Sequence, residues 1–322
     1  MTLPLSVVVP TCRRDLLLIR CLAALDAQDY PAVAYEVIVV DDGACDATRR
    51  TVWCWSLRSR ATLRYTRTLR GRGPAAARNT GWRAARGEII AFTDDDCIPT
   101  PGWLCAGVAA LRGNVAGASG PIRVPLPDAP TDYERDVAGL ERAEFATANC
   151  FYRRAVLAEL GGFDERFAAA WREDSDLFLE LLKRGHRLAR APRAVVVHPV
   201  RPERWGVSLR QQRKTMYNAL LYKKHRALYW QRIQHSPPWR YYGIVAALLV
   251  GVAAATLGRR GAALAALSAW LLLTAALCLR RLRATSRAPA HVAEMVVTSA
   301  LIPPLAVFWR LRGAIKYRVP FL

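Results

Sequence analysis

Gly87-Glu-Ile-Ile-Ala-Phe-Thr-Asp-Asp-Asp96 places three consecutive carboxylates directly behind a short apolar run. Ile89, Ile90 and Phe92 are β-branched or aromatic, which favours a buried strand. Neighbouring carboxylates repel one another by roughly 1 kcal/mol per pair in water and about 4 kcal/mol at an effective dielectric of 20. We therefore expect a cation at the end of this strand. The alternative for such a cluster is an exposed acidic turn, and the surrounding sheet decides between the two.

Similar apolar runs precede this stretch and alternate with helical patterns. The runs cover residues 5–9, 35–40 and 63–66, and the helical patterns include residues 14–27 and 74–85. Nearly continuous apolar strands between helices are typical of a parallel sheet covered on both faces. The sequence predicts an α/β fold with a Rossmann-like, mostly parallel sheet between helices.

Polar clusters follow three of these four strands. Pro10, Thr11 and Arg14 follow the first strand, Asp41-Asp42-Gly43 ends the second, and Asp94-Asp95-Asp96 follows the fourth. Open α/β sheets bind ligands outside the carboxyl ends of their strands, so the clusters should form one pocket. Oxygen ligands select a hard ion such as Mg²⁺ or Mn²⁺, which takes further ligands from phosphate.

The motifs in this region resemble those of family 2 glycosyltransferases, in the same order along the chain. They are Val7-Val-Val-Pro-Thr11 with Arg14, Val37-Ile-Val-Val-Asp-Asp-Gly43 with Asp46 and Thr48, Gly73-Pro-Ala-Ala-Ala-Arg-Asn-Thr-Gly81, and Phe92-Thr-Asp-Asp-Asp96. The resemblance covers roughly residues 1–230 and points to a membrane-anchored bacterial type. It implies the GT-A fold, a nucleotide-sugar donor and a divalent metal held by an Asp-X-Asp motif.

The resemblance also implies roles for individual residues. Donor-site residues would be Pro10, Thr11, Arg14, Asp41, Asp42, Arg78, Asp94 and Asp95. Within this set, Thr11 and either Asp41 or Asp42 would bind the nucleoside, and Asp94 would approach the ribose. Asp94 and Asp96 would hold the metal on the diphosphate.

Arginine side chains are candidates for neutralising the diphosphate, because guanidinium matches phosphate oxygens in bidentate geometry. Arg78 lies inside a matched motif, and Arg70 or Arg72 lies close before it. The alternative for each is a solvated surface group, since the chain has many arginines.

The stretch Trp171-Arg-Glu-Asp-Ser-Asp176 resembles the acceptor half of the same family, in which an Asp after Glu is the catalytic base. That position is Asp174. An aspartate with a reference pKa of about 3.9 is already ionised at neutral pH and can accept a proton from an attacking hydroxyl. The alternative is that Glu173, Asp174 and Asp176 only complement a helix N-terminus.

His198 ends the apolar run 194–198, where similar enzymes can present a third metal ligand. Imidazole would suit Mn²⁺ better than Mg²⁺. The alternative is a histidine at a strand end whose ring is bonded to the backbone.

The C-terminal part of the chain is apolar, within a composition that is 52% hydrophobic. Residues 239–257 and 261–279 are two uncharged stretches near the lower length for crossing a bilayer, and they predict a transmembrane hairpin. Buried helices of a globular domain are the alternative. A third apolar segment, 292–309, contains Glu294 and Pro303-Pro304, which favours an interfacial or re-entrant segment. We predict a catalytic domain over 1–232 and a membrane region over 233–322.

Basic residues flank the hairpin on both sides, which places both flanks in the cytoplasm at the inner (plasma) membrane by the positive-inside rule. Arg259 and Arg260, in the turn between the helices, run against this orientation. The net charge of +21 then suits anionic headgroups. Nucleic-acid binding is the rival explanation, but no recognition motif supports it.

The eight cysteines contain no C-x-x-C pair, so spacing favours reduced thiols over zinc or disulfides. Taken together, the sequence predicts an inverting, metal-assisted glycosyltransferase of the hexosyltransferase type. Its partners would be a nucleotide sugar, with a UDP-sugar favoured, and a glycan or lipid acceptor. A non-catalytic nucleotide-sugar-binding membrane protein is the alternative, against which the carboxylates at all the expected positions argue.

Overall fold

A computed structural model, which describes residues 3–69 and 71–321, divides the chain into two compact units. The sheet unit comprises Met1–Pro125 and Ala138–Val200, and the helical unit comprises Leu126–Val137 and Arg201–Leu322. The predicted boundary between residues 232 and 233 falls inside the helical unit, whose longer part begins at Arg201.

The sheet unit contains a large sheet and a small one. Their strands are Leu5–Thr11 (β1), Tyr35–Asp41 (β2), Thr62–Arg67 (β3), Ile89–Phe92 (β4), Ile98–Pro99 (β5), Val115–Ser119 (β6), Ile122–Arg123 (β7), Cys150–Arg153 (β8), Arg187–Arg190 (β9) and Val196–Val197 (β10). Within the described residues the large sheet has the order β3-β2-β1-β4-β8-β6-β9, and the small sheet has the order β5-β10-β7. Strands β1 to β4 pair in parallel, whereas β8 is antiparallel to both β4 and β6.

Helices connect these strands, as the alternating pattern predicted. In the sheet unit they are Asp15–Asp26 (α1), Asp46–Ser56 (α2), Pro74–Ala84 (α3) and Trp103–Ala110 (α4), and further on, after Asp132–Val137 (α5) of the helical unit, Arg154–Leu160 (α6) and Glu173–Lys183 (α7). Leu18, Cys21, Leu22 and Leu25 form the buried side of α1. The mostly parallel α/β sheet predicted from the apolar runs is confirmed, because the four predicted strands agree with β1 to β4 within a residue or two.

The remaining helices lie in the helical unit. They are Val207–Gln211 (α8), Tyr217–Lys224 (α9), Arg226–Arg232 (α10), Trp239–Thr256 (α11), Arg260–Arg281 (α12) and Pro289–Tyr317 (α13). A 3-10 segment, Gln212–Met216, separates α8 from α9.

Helices α11, α12 and α13 are each long and apolar enough to cross a bilayer by length and composition. Helices α11 and α12 lie over the two predicted stretches, 239–257 and 261–279, and differ from them by at most two residues at either end. The expected interruption at Pro303-Pro304 does not end the third helix, since both prolines lie inside the continuous α13. Prolines remove two N–H donors, and neighbouring helices can compensate for the freed carbonyls.

Candidate active site

The polar clusters after β1, β2 and β4 meet at one edge of the large sheet. Thr11 is paired in register with Asp41. The backbone N–H of Asp42 donates to the carbonyl of Thr11 over 2.9 Å, and that of Thr93 donates to Val8 over 3.4 Å. This register places the triplet that follows Thr93 next to the end of β1, as the sheet argument requires.

Each carboxylate of the triplet has a different basic or polar partner. Asp94 Oδ1 accepts from Arg78 Nη2 at 2.8 Å. Asp95 accepts from Thr11 Oγ1 at 2.7 Å and from Arg14 Nη1 at 3.1 Å. Asp96 Oδ1 lies 3.5 Å from His198 Nε2. The repulsion expected between three adjacent carboxylates is therefore offset by directing them toward separate partners.

Asp95 is the innermost member of the triplet. Its side chain is only 2% exposed, whereas that of Asp94 is 28% exposed. Burial raises the pKa of Asp95 to about 6, with Arg14 opposing and Asp96 adding to the rise. Asp95 thus joins the ends of β1 and β4 and positions Thr11 and Arg14, while Asp94 reaches the surface of the site.

The two aspartates after β2 hold loops in place. Asp41 is fully buried, and its carboxylate accepts from the N–H groups of Gly43 and Cys45 and from the Tyr65 hydroxyl, at 2.8, 2.7 and 3.0 Å. All of these partners belong to the chain itself. Asp41 and Asp42 were the two candidates for binding the nucleoside, and Asp41 is enclosed by the protein.

Asp42 is only partly buried. Its carboxylate accepts from Thr68 Oγ1 at 2.8 Å and from the N–H groups of Arg72 and Gly73 at 3.0 Å each. Arg72 has a 66% exposed side chain 3.6 Å from Glu165. Arg70, the other candidate for the diphosphate, lies outside the described residues. Asp42 thus remains the more accessible candidate for the nucleoside.

Arg78 links the triplet to the start of α7. Its side chain is 3% exposed, and Nη1 donates to Glu173 Oε1 over 2.8 Å while Nη2 donates to Asp94. Burial lowers the pKa of Arg78, but Asp94 and Glu173 outweigh it and leave the pKa above its ordinary value. The guanidinium therefore stays charged. Its Nε and Glu173 Oε2 have no hydrogen-bond partner among the described residues.

Asp174 lies at the first turn of α7, beside the buried Glu173. Arg172, which precedes the helix, has a left-handed backbone with φ of 76°. Asp174 is partly exposed and accepts from the N–H of Ser175 at 2.6 Å and from its hydroxyl at 3.2 Å. A left-handed backbone at a non-glycine residue costs free energy, and such strained residues cluster at functional sites. A carboxylate at a helix N-terminus is favourably placed whether or not it also acts as a base, so the positional and the catalytic interpretations are compatible.

His198 directly follows β10 and lies against Asp96. Possible ligand atoms of Asp96, Cys97 and His198 all lie within 4.8 Å of one another. The backbone N–H of His198 donates to Arg123, but its ring Nδ1 has no partner among the residues described here. Among the described residues, the His198 ring nitrogens therefore do not support the alternative in which the ring is hydrogen-bonded to the backbone.

The donor set suits a divalent ion. Asp96 and His198 are both buried and supply one carboxylate and one imidazole. The Cys97 sulfur is a soft ligand, which suits a hard ion such as Mn²⁺ less well than carboxylate oxygen and imidazole nitrogen do. Asp96 and His198 are thus the fitting pair, with the partly exposed Asp94 two residues before Asp96.

Sequence reasoning missed two members of this site. Glu173 was considered only for the helix N-terminus, although it is the buried partner of Arg78. Cys97 was grouped with the other cysteines, although it directly follows Asp96 and this adjacency could have identified it. No spacing signal connects Arg78 with Glu173.

A carboxylate-rich edge of a mostly parallel sheet, together with an aspartate in the first turn of α7, is typical of nucleotide-sugar-dependent transferases with the GT-A fold. Residues 6–176 match the model of the family described as Glycosyl transferase family 2. The chain belongs to this family, and the resemblance drawn from the four motifs is confirmed.

Curated relatives support the same assignment. Glycosyltransferase AglE of Haloferax volcanii is 31% identical over 222 residues, which cover 66% of this chain and 71% of the relative. Pre-mycofactocin glycosyltransferase of Mycobacterium tuberculosis is 28% identical over 187 residues, which cover 52% of this chain and 38% of the relative. The chain is accordingly an enzyme of the glycosyltransferase class.

Solved structures show the same fold. The mannosyltransferase PcManGT from Pyrobaculum calidifontis, in complex with GDP-Man and Mn²⁺, is 23% identical with a TM-score of 0.57 and coverage of 98% of this chain and 86% of that chain. S. aureus TarS 1–349 in complex with UDP is 18% identical with a TM-score of 0.50 and coverage of 98% and 89%. The predicted GT-A fold is confirmed.

Proposed function

We propose that this enzyme transfers a hexosyl group from a UDP-sugar to a hydroxyl of a glycan or lipid acceptor, with inversion at the anomeric carbon. The observation that supports this proposal is that the three carboxylates of the triplet have different partners. Asp95 is buried and accepts from Thr11 and Arg14. Asp94 accepts from Arg78, and Asp96 lies beside His198. This arrangement leaves ligand-binding groups at the sheet edge, and Asp174 on α7 is the candidate base.

The donor side is formed by residues that follow the strands. Pro10, Thr11 and Arg14 lie at or just after the end of β1, and the Asp42 carboxylate accepts hydrogen bonds from Thr68, Arg72 and Gly73. Arg14 has a 41% exposed side chain, so its guanidinium can contact a ligand while it pairs with Asp95. Among the residues proposed from the sequence, Asp41 and Asp95 support the pocket from within.

Asp94, Asp96 and His198 are the residues that would hold a divalent ion, with Mn²⁺ favoured by the imidazole. Such an ion, when bound, supplies positive charge where the departing diphosphate develops negative charge. Arg78 is held in the same place by Asp94 and Glu173 and adds a fixed cation to that environment. Fixed charges of this kind need no reorganisation during the reaction.

Asp174 is the proposed base. The acceptor hydroxyl oxygen forms a bond to the anomeric carbon, its proton passes to the Asp174 carboxylate, and the bond from the anomeric carbon to the diphosphate oxygen breaks. The nucleoside diphosphate leaves with that electron pair. One displacement of this kind inverts the anomeric configuration.

The apolar helices support a place at the inner membrane, with the catalytic residues on the cytoplasmic side. Between 17% and 28% of the most apolar windows of α11, α12 and α13 is buried within the protein, so most of their apolar surface requires another partner. Basic residues on both flanks of the hairpin suit the cytoplasmic leaflet.

A donor screen tests the proposed activity. Purified full-length enzyme with Mn²⁺ is incubated with UDP-, GDP- and dTDP-sugars, and release of the nucleoside diphosphate is measured. We expect release from a UDP-sugar, with water as the acceptor, and the anomeric configuration of the free sugar, observed by NMR before mutarotation, reports inversion. Release from none of the donors, with wild-type protein that binds nucleotide, would favour the non-catalytic binding protein.

A further inference from the structure

Helix α13 is accompanied along most of its length by the segment 206–224, here called the basic segment. Near the beginning of α13, Glu294 Oε1 accepts from the N–H of Gly206 at 2.7 Å. Further along, a Cβ on Gly313 would lie 2.5 Å from the carbonyl oxygen of Met216, which shows how closely the two backbones approach. At the end, Lys223 Nζ donates to the carbonyl of Tyr317 over 2.8 Å.

The paired length exceeds the thickness of a bilayer core. Glu294 and Tyr317 are separated by about 35 Å of helix at about 1.5 Å per residue, whereas the hydrocarbon core is about 30 Å thick. Both ends of α13 contact the basic segment. A transmembrane α13 would therefore carry the basic segment through the whole bilayer with it.

The basic segment is unsuited to that position. It contains Arg210, Arg213, Lys214, Lys223 and Lys224, together with Gln211 and Gln212. Arg210, Arg213 and Lys223 are exposed. Charged groups within a bilayer are costly and face a protein interior or a water-filled cavity, whereas these three face outward. The basic segment belongs in water or among lipid headgroups.

One side of α13 is buried in the protein, and the opposite side is exposed and apolar. Met295, Ser299, Ile302 and Gly313 belong to the side that is buried in the protein. The opposite side is an exposed apolar row with helical spacing, formed by Val297, Leu301, Phe308, Leu311 and Ile315. An apolar face opposite a basic partner is the pattern of a helix lying in the membrane interface.

The hairpin meets α13 through its base. Arg281, in the last turn of α12, donates to Thr298 Oγ1 at 2.8 Å and to Ser299 Oγ at 3.1 Å. Cys278 and Leu282 form a buried cluster with Met295. The base of the hairpin is thus fastened to the first half of α13, in the same unit as the basic segment.

We propose that α13 lies along the membrane surface, with its apolar row in the acyl chains and the basic segment on the headgroup side, and that only the hairpin α11–α12 crosses. The inference rests on the proposed membrane association. It places Lys316 and Arg318 on the same side as residues 206–232, in agreement with the positive-inside rule. The partner of this face is a bilayer surface rich in anionic lipid.

Reporter fusions to the full-length chain test the topology. Green fluorescent protein, which matures in the bacterial cytoplasm, and alkaline phosphatase, which is active only outside it, are fused after residue 322 or inserted after Gly258. We expect fluorescence for the C-terminal fusion and phosphatase activity for the insertion. Phosphatase activity at the C-terminal position would mean that α13 crosses, and would overturn the inference.

A matched pair of substitutions provides a second measurement. Leu301 and Leu272 are exposed and lie near the middle of α13 and α12, respectively. Leu272→Lys should reduce the membrane-integrated fraction at least 5-fold, and Leu301→Lys should change it less than 2-fold because lysine can reach the headgroups. Equal losses of the membrane-integrated fraction in the two variants would contradict a position of α13 along the membrane surface. If carbonate extracts the wild-type protein from the membrane fraction, the proposed membrane association is wrong, and not only the position of α13.

Discussion

Arg78 and Glu173 lie 95 positions apart in sequence and form a buried ion pair of 2.8 Å. The same guanidinium donates to Asp94, so one side chain connects the carboxylate triplet after β4 with the helix that begins beside Asp174. Because both carboxylates pair with a single fork of N–H donors, the donor and acceptor parts of the proposed site depend on the same cation.

Replacing this cation tests the connection. Arg78→Lys removes the planar fork and should lower turnover by at least 10-fold, and Arg78→Met should reduce the free energy of unfolding by about 3–5 kcal/mol by leaving buried charge unpaired. Turnover and denaturant unfolding of the full-length enzyme are the measurements. Arg83→Lys is the control, since Arg83 is 53% exposed and 3.6 Å from Glu165. Equal effects at both positions would contradict a special role for Arg78.

Removal of the proposed metal should abolish transfer. Asp96→Asn weakens a ligand next to His198, and we expect loss of Mn²⁺-dependent turnover with the fold retained by circular dichroism. Excess EDTA should have the same effect on the wild type, and added Mn²⁺ should restore activity. The exposed Asp46→Asn is the control. Undiminished turnover in EDTA would remove the metal from the proposed mechanism.

The proposed base can be separated from donor binding. Asp174→Asn should lower turnover by about 10² or more, which is the usual size of a general-base contribution. Donor affinity, measured by calorimetry with a UDP-sugar and Mn²⁺, should change less than about 3-fold, because the Asp174 carboxylate accepts its hydrogen bonds from Ser175 within the described residues. If the variant loses donor affinity instead, Asp174 belongs to the nucleotide site.

Glu36 should make stability depend on pH. Its buried carboxylate accepts from Ser6 Oγ at 2.8 Å, Arg64 Nη1 at 2.8 Å and the N–H of Arg86 at 2.7 Å. Burial raises the pKa of Glu36, but Arg64, Arg86 and Ser6 outweigh burial and hold it below the ordinary 4.5. A lowered pKa means that the stabilisation is present above about pH 4.5 and is lost as pH falls through the folded-state value.

The measurement is denaturant unfolding of the wild type and Glu36→Gln in detergent between pH 3 and 8. The variant should be less stable by about 1–3 kcal/mol at pH 7, and the difference should shrink below about pH 4.5. Glu88→Gln, at an exposed position, is the control. A difference that does not vary with pH would show that the Glu36 charge does not contribute.

Sequence alone determined the elements that depend on local pattern. Apolar runs of 4–6 residues bounded by turn residues predicted β1 to β4, because side-chain burial and backbone preference act over a few neighbours. The uncharged stretches predicted α11 and α12 for the same reason. The four motifs sufficed for the family, since each combines a strand end with the polar residues directly after it.

Tertiary structure alone decided which of these residues meet. Asp96 and His198 lie together because β10 of the small sheet ends there, and Arg78 reaches Glu173 because α3 and α7 belong to one packed unit. The partner of α13 is likewise a distant segment, which a hydropathy pattern cannot show. Such pairings depend on strand order and on packing between elements remote in sequence. Local preferences carry no information about them, because they are the same whichever distant segment the element contacts.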